Sequence, residues 1–188
     1  MKKSGMGAAL LVIAGLLLCG NIAAAAPKSG FGLFGGAAKH DATGSFLPAF
    51  GGGSISYSSS GLSIGVDYQI ALGDSFSVNP FLMSSSESTS GDLQSDIKAG
   101  HGILGLGVRF WPGDLFVGAH FGRYSEALSG GSGGSLSANG GGFGLSVGWE
   151  SPDGGLFVMG QYDSFSLSYD DADIDEKGVR LQVGYRWK

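Results

Sequence analysis

The chain has 188 residues, of which 37 are glycine and only 14% are charged. One domain is expected at this length, and the composition excludes a solvated disordered chain and is unlike an ordinary soluble enzyme. With 11 basic against 16 acidic residues the net charge is −5, which argues against nucleic acid as a partner.

Residues 1–25 read as a secretory signal peptide. Lys2 and Lys3 supply the positive start, and Ala8 to Leu18 is an apolar core. That core is too short for a membrane-spanning helix, which needs roughly 17–25 residues. Asn21 to Ala26 is a region of small residues, with cleavage expected after Ala25. Removing the two lysines leaves 9 basic against 16 acidic residues, a net charge of −7. Cys19 is the only cysteine and follows Leu18. A lipidation signal wants a small residue there, so an inert cysteine is expected, and no disulfide. No later apolar run is long enough to be a membrane helix, so a membrane location requires a closed β-barrel.

Residues 26–47, with Phe31 and Phe34 among glycines, Lys28, Lys39 and His40, are expected to be a periplasmic lead-in; the alternatives are an extra strand or a short plug. The barrel is expected over 48–188. Its first strand, Ala49 to Tyr57, alternates weakly. After a short connection at Ser58 to Gly61, the second runs from Leu62 to Leu72, with Leu62, Ile64, Val66, Tyr68, Ile70 and Leu72 on one face. A tight turn at 73–75 leads to a third strand, Phe76 to Ser84, where Pro80 suggests a bulge or the end of pairing. Ser85 to Gly100 reads as a long polar loop.

Two strand–turn–strand units follow. In the first, Leu104, Leu106, Val108 and Phe110 alternate with Gly105, Gly107 and Arg109, turn at Trp111 to Asp114, and return through Leu115, Val117, Ala119 and Phe121. In the second, Phe143, Leu145, Val147 and Trp149 lead to a turn at Ser151 to Gly154 and return through Leu156, Val158, Gly160 and Tyr162. Glu126 to Gly140 and Ser168 to Glu176 read as long loops. The last strand carries Val179, Leu181, Val183, Tyr185 and Trp187 on one face. A period of two marks strands with two different faces. Short turns alternating with long loops fit an eight-stranded antiparallel transmembrane up-and-down barrel. Trp111, Trp149, Tyr185 and Trp187 are expected to form an aromatic girdle at one membrane interface.

The apolar face lacks charge, as a lipid-facing surface requires. The other face is rich in glycine and poor in lysine and glutamate, unlike a solvated surface. The lumen is therefore expected to hold Asp67, Arg109, His120, Glu150, Asp163, Arg180 and Arg186 as a nearly balanced network of paired charges. Eight strands enclose just enough room for side chains, so no large pore is expected. A soluble periplasmic barrel of lipocalin type, with the apolar face inside, is the alternative.

The segment GLSIGVDYQIALGDSFSVNPFL, the repeated hairpins and the ending GVRLQVGYRWK resemble the small outer-membrane barrels of the OmpA/OmpX and opacity-protein type. The resemblance covers roughly residues 49 to 188. It implies a monomer in the outer membrane of a Gram-negative bacterium, in contact with lipid and lipopolysaccharide. It also implies a last strand, through Tyr185 and Trp187, read by the barrel-assembly machinery. Lys188 after the aromatic departs from the usual ending of that signal. A structural or surface-interaction role is expected, without a cofactor. The enzymatic alternative, lipid modification by His120 as base with Ser146 as nucleophile and Asp67 or Glu150 as orienter, meets the difficulty that His120 points inward. The acidic run Asp170 to Glu176 lacks the glycine and glutamate positions of a calcium loop, and no metal site is expected.

Overall fold

The computed structural model describes residues 27–46, 53–92, 97–130, 135–152, 155–169 and 172–188. Eight strands follow one another: β1 (Gly30–Phe46), β2 (Gly53–Leu72), β3 (Phe76–Gly91), β4 (Lys98–Phe110), β5 (Leu115–Ser129), β6 (Ser135–Glu150), β7 (Leu156–Ser168) and β8 (Ala172–Trp187). Each pairs antiparallel with the next, and β1 pairs with β8 to close the barrel. Closure removes both sheet edges, so the backbone satisfies its own hydrogen bonds all round. The segment expected to be a signal peptide, with Cys19, lies outside the described residues.

The strand count agrees with the sequence pattern, but the first strand does not. β1 lies at Gly30–Phe46, inside the segment expected to be a lead-in, and pairs Phe31 with Tyr68 on one side and Trp187 on the other. Ser58 to Gly61 is no turn: it lies in the middle of β2, which joins much of the expected first strand to the second. Residues 49–52 lie outside the described residues. Pro80 neither bulges nor ends β3. Its ladder to β4 runs on through Pro80↔Leu106, while pairing with β2 lapses between Asp67↔Phe81 and Ile70↔Val78 in unchanged register. The proline costs one local interruption because it lacks only a donor.

The expected long loops are also mostly strand. β3 continues to Gly91, β5 to Ser129, and β8 begins at Ala172. Connections at that end cover only 47–52, 92–97, 130–134 and 169–171. The outward residues explain why. From the turn end, each strand presents apolar side chains: Phe31 and Leu33 on β1, Phe143, Leu145, Val147 and Trp149 on β6, Val179 to Tyr185 on β8. Each strand then switches to polar ones, such as Lys39 and Asp41, Ser84 to Ser90, Arg123, Ser164 to Ser168 and Asp173 to Lys177. The apolar band takes about seven residues of most strands, a height of roughly 20 Å at the usual tilt. The remaining wall is strand whose outer face is mostly polar and whose inner face mixes buried apolar residues, such as Leu128, Leu167 and Ile174, with glutamate and histidine. Ser58 and Ser166 donate to Asp41 and Asp175 on its outer surface.

Inside, large rings lie over glycines directly across the ladder: Phe34 over Gly65, Phe81 over Gly105, Phe157 over Gly184, His120 over Gly144 and His40 over Gly178. The three atoms nearest to a Cβ at Gly178 all belong to the His40 ring. Glycine here makes space for the neighbouring strand's ring in a lumen that cannot widen. Gly178→Ala is expected to cost about 1–3 kcal/mol through overpacking. That cost should vanish in a His40→Ala background, read from urea unfolding across the double-mutant cycle.

Candidate functional site

The lumen is filled in three layers. At the turn end, Arg186 forks onto Asp67 through Nη1 and Nη2 at 2.8 and 3.2 Å, and its Nε donates to Glu150 at 3.1 Å. Arg109 donates to Asp67 at 3.2 Å and to Gln69 at 3.2 Å. Both guanidiniums also lie over rings, Arg109 over Phe116 and Arg186 over Phe157. Two acids meet two arginines, all buried. This is the arrangement in which a buried charge is tolerable, because every partner is present.

In the middle, Asp163 is fully buried and accepts from Arg180, from Tyr124 at 3.0 Å and from Gln161 at 3.0 Å, with His120 Nε2 at 2.8 Å. Those bonds hold the imidazole in place. None of the hydrogen bonds of His120 goes to Ser146 among the described residues. The seven residues singled out in the sequence therefore fall into two clusters, four around Asp67 and three around Asp163. A cavity of about 20 Å³ separates them, lined by Asp67, Asn79, Arg109 and His120. That is room for about one water. Phe34, Met83, Tyr124, Phe157, Met159 and Phe165 fill the space around the charges.

Trp149, Tyr185 and Trp187 face outward near the turn end, and Phe31 stacks on Trp187. Trp111 does not belong with them. It is 3% exposed, donates from its indole nitrogen to Ser77 at 3.1 Å, and packs on Phe116. The reason is parity: Arg109 points in, Phe110 out, and Trp111 in again, so the ring closes the bottom of the lumen.

The third layer lies beyond the apolar band, where the outer wall is polar. His40 from β1, Tyr57 from β2, Glu87 from β3, His101 from β4, Glu126 from β5 and Glu176 from β8 converge there, each at most 3% exposed. Glu87 takes His40 Nδ1 at 2.8 Å, His101 Nδ1 at 3.2 Å, and the hydroxyls of Ser59 and Ser85 at 2.6 Å. His101 Nε2 faces Glu126 at 3.4 Å and Glu176 at 3.1 Å. Tyr57 lies within hydrogen-bond distance of both, and Tyr169, in the connection before β8, donates to Glu126. Burial, followed by the Glu126 carboxylate, holds the Tyr169 hydroxyl well above its ordinary range, so it remains a donor. This layer is not evident from the sequence, because nearly all these residues fall in the stretches expected to be the lead-in or loops. Parity was the available signal: Glu176 is in phase with Arg180 and Arg186, Glu126 with His120, and His101 with Arg109.

The fold is that of the small eight-stranded outer-membrane barrels. Among solved structures, the chain is similar to Neisserial surface protein A (TM-score 0.57, 14% identity, 86% of this chain and 100% of that one). It is also similar to Ail, the attachment invasion locus protein of Yersinia pestis (TM-score 0.50, 13% identity, 85% and 100%), and to OprG from Pseudomonas aeruginosa (TM-score 0.50, 12% identity, 87% and 99%). No protein-family profile and no curated protein sequence matches the chain.

Asp163→Ala is expected to cost about 3–5 kcal/mol in urea unfolding, because it leaves the Arg180 guanidinium buried without its acid. Replacing both with apolar residues of similar volume should recover most of that loss.

Proposed function

We propose that this chain is a structural or surface-interaction protein of the Gram-negative outer membrane, its lumen closed by side chains. The observation that carries the reading is the continuous outward band of exposed apolar side chains around a charged, fully packed interior. A lipocalin-like barrel needs the opposite arrangement, with the apolar face enclosing a ligand. Here Leu62, Leu104 and Leu181 are each more than 60% exposed while Asp67, Asp163 and Arg186 are buried. Only a lipid surround stabilises such a band. Beyond it, the polar strand ends and their connections stand clear of the membrane, which suits contact with lipopolysaccharide headgroups or external partners.

The filled lumen supports a non-conducting barrel, and a monomer is part of the same proposal. Enzymatic lipid modification through His120 and Ser146 finds no support, since His120 spends its hydrogen bonds on the Asp163 cluster. Folding through the barrel-assembly machinery, by way of Tyr185 and Trp187, is part of the same proposal. So are signal-peptide cleavage and export.

Unboiled protein from the outer-membrane fraction should migrate differently in SDS from boiled protein; release in soluble periplasmic extract with no shift would overturn the reading. In planar bilayers the folded protein should give no steady conductance. Leu145→Arg, within the apolar band of β6, should cost about 2–4 kcal/mol on folding into vesicles. Ser137→Arg, on the same face of the same strand but beyond the band, should cost close to nothing.

A further inference from the structure

The two deeper layers of the lumen close their charge with arginine, and the outer layer does not. Glu87, Glu126 and Glu176 have no ion pair with any lysine or arginine among the described residues; their cationic partners are imidazoles. His40 offers Nδ1 to Glu87, while its Nε2 is buried without a hydrogen-bond partner among the described residues. Three carboxylates thus share two imidazoles and no lysine or arginine, in a place with almost no exposure. A buried excess of negative charge needs a cation.

We infer that the outer end of the lumen binds one first-row divalent transition-metal ion, zinc by preference, through His101 Nε2, Glu126 and Glu176. The ligand atoms lie 3.1 and 3.4 Å from the imidazole nitrogen. Nitrogen and oxygen ligands of a tetrahedral zinc stand about 3.4 Å apart. One imidazole with two carboxylates suits zinc better than magnesium or calcium, which prefer oxygen alone.

The supporting contacts follow the pattern of a metal-bound histidine, whose other ring nitrogen donates to a carboxylate that fixes the ring. His101 Nδ1 lies 3.2 Å from Glu87 Oε1. Glu87 is itself held by His40, Ser59 and Ser85. Tyr57 and Tyr169 orient the two ligand carboxylates from the other side. Glu87 is thus a positioning residue. This inference goes beyond the proposed surface role and does not depend on it.

The test uses the folded full-length protein in detergent, stripped with EDTA, dialysed, and titrated with zinc chloride alone. The wild type should retain one zinc per chain and unfold at a higher temperature when loaded. His101→Gln should abolish both effects, and Glu87→Gln should weaken binding about 10–100-fold. Asp175→Asn, which removes an exposed acid on the outer surface, should change neither. A wild type that retains no zinc overturns the inference, as does a folded His101→Gln variant that retains it unchanged. If His101→Gln does not fold, zinc X-ray absorption on the wild type decides. One imidazole with carboxylate oxygens supports the site; a spectrum without imidazole overturns it.

Discussion

The charged groups on the inner wall of this barrel find their partners across a space only wide enough for side chains. Water cannot enter in bulk, and the wall cannot widen without breaking the ladder that closes it. That constraint explains why Asp67 takes two arginines, why Asp163 collects a guanidinium, an imidazole, a phenol and an amide, and why large rings lie over glycines. The interior is a set of pairs in which each member depends on the strand opposite.

The outside of the same wall obeys a different constraint at different heights. Near the turn end, the outward positions are apolar on all eight strands. Farther along, they are serine, aspartate, lysine and glycine, although the ladders continue without a break in register. Height therefore decides whether the outward face is apolar, and the inward face pays no attention to that boundary. The cluster around His101 sits inside the polar part of the wall. Its chemistry is removed from the lipid layer while remaining sealed from water.

The three inner layers differ in how they close their charge. The layer at Asp67 uses two arginines for two acids, and the middle layer sets Arg180 and His120 on one. The outer layer has three glutamates and two histidines, with His40 restricted by its unpartnered nitrogen. Arginine keeps its proton and cannot bind a metal ion. Imidazole can exchange a proton for a metal, and that difference in side-chain chemistry is what makes the outer end a site rather than filler.

Alternation alone carried the architecture: the turn at 73–75, the two central hairpins, the last strand and the direction in which Asp67, Arg109 and Arg186 point were all legible from a period of two. The signal works only where one face is apolar and the other is not. It faded at Ser85, Glu126 and Ser168, where the outward face turns polar and the inward face mixes apolar with charged residues, so strand reads as loop. It was weak in β1, where Gly30 to Ala38 offers few side chains to alternate. The ladder decided these places, because pairing with the neighbouring strands' backbone carries the strand on where its outward face has turned polar. The ladder also decided what the residues meet. No spacing within the sequence brings His40, Glu87, His101, Glu126 and Glu176 together. They belong to five strands, and only closure of the barrel makes them neighbours.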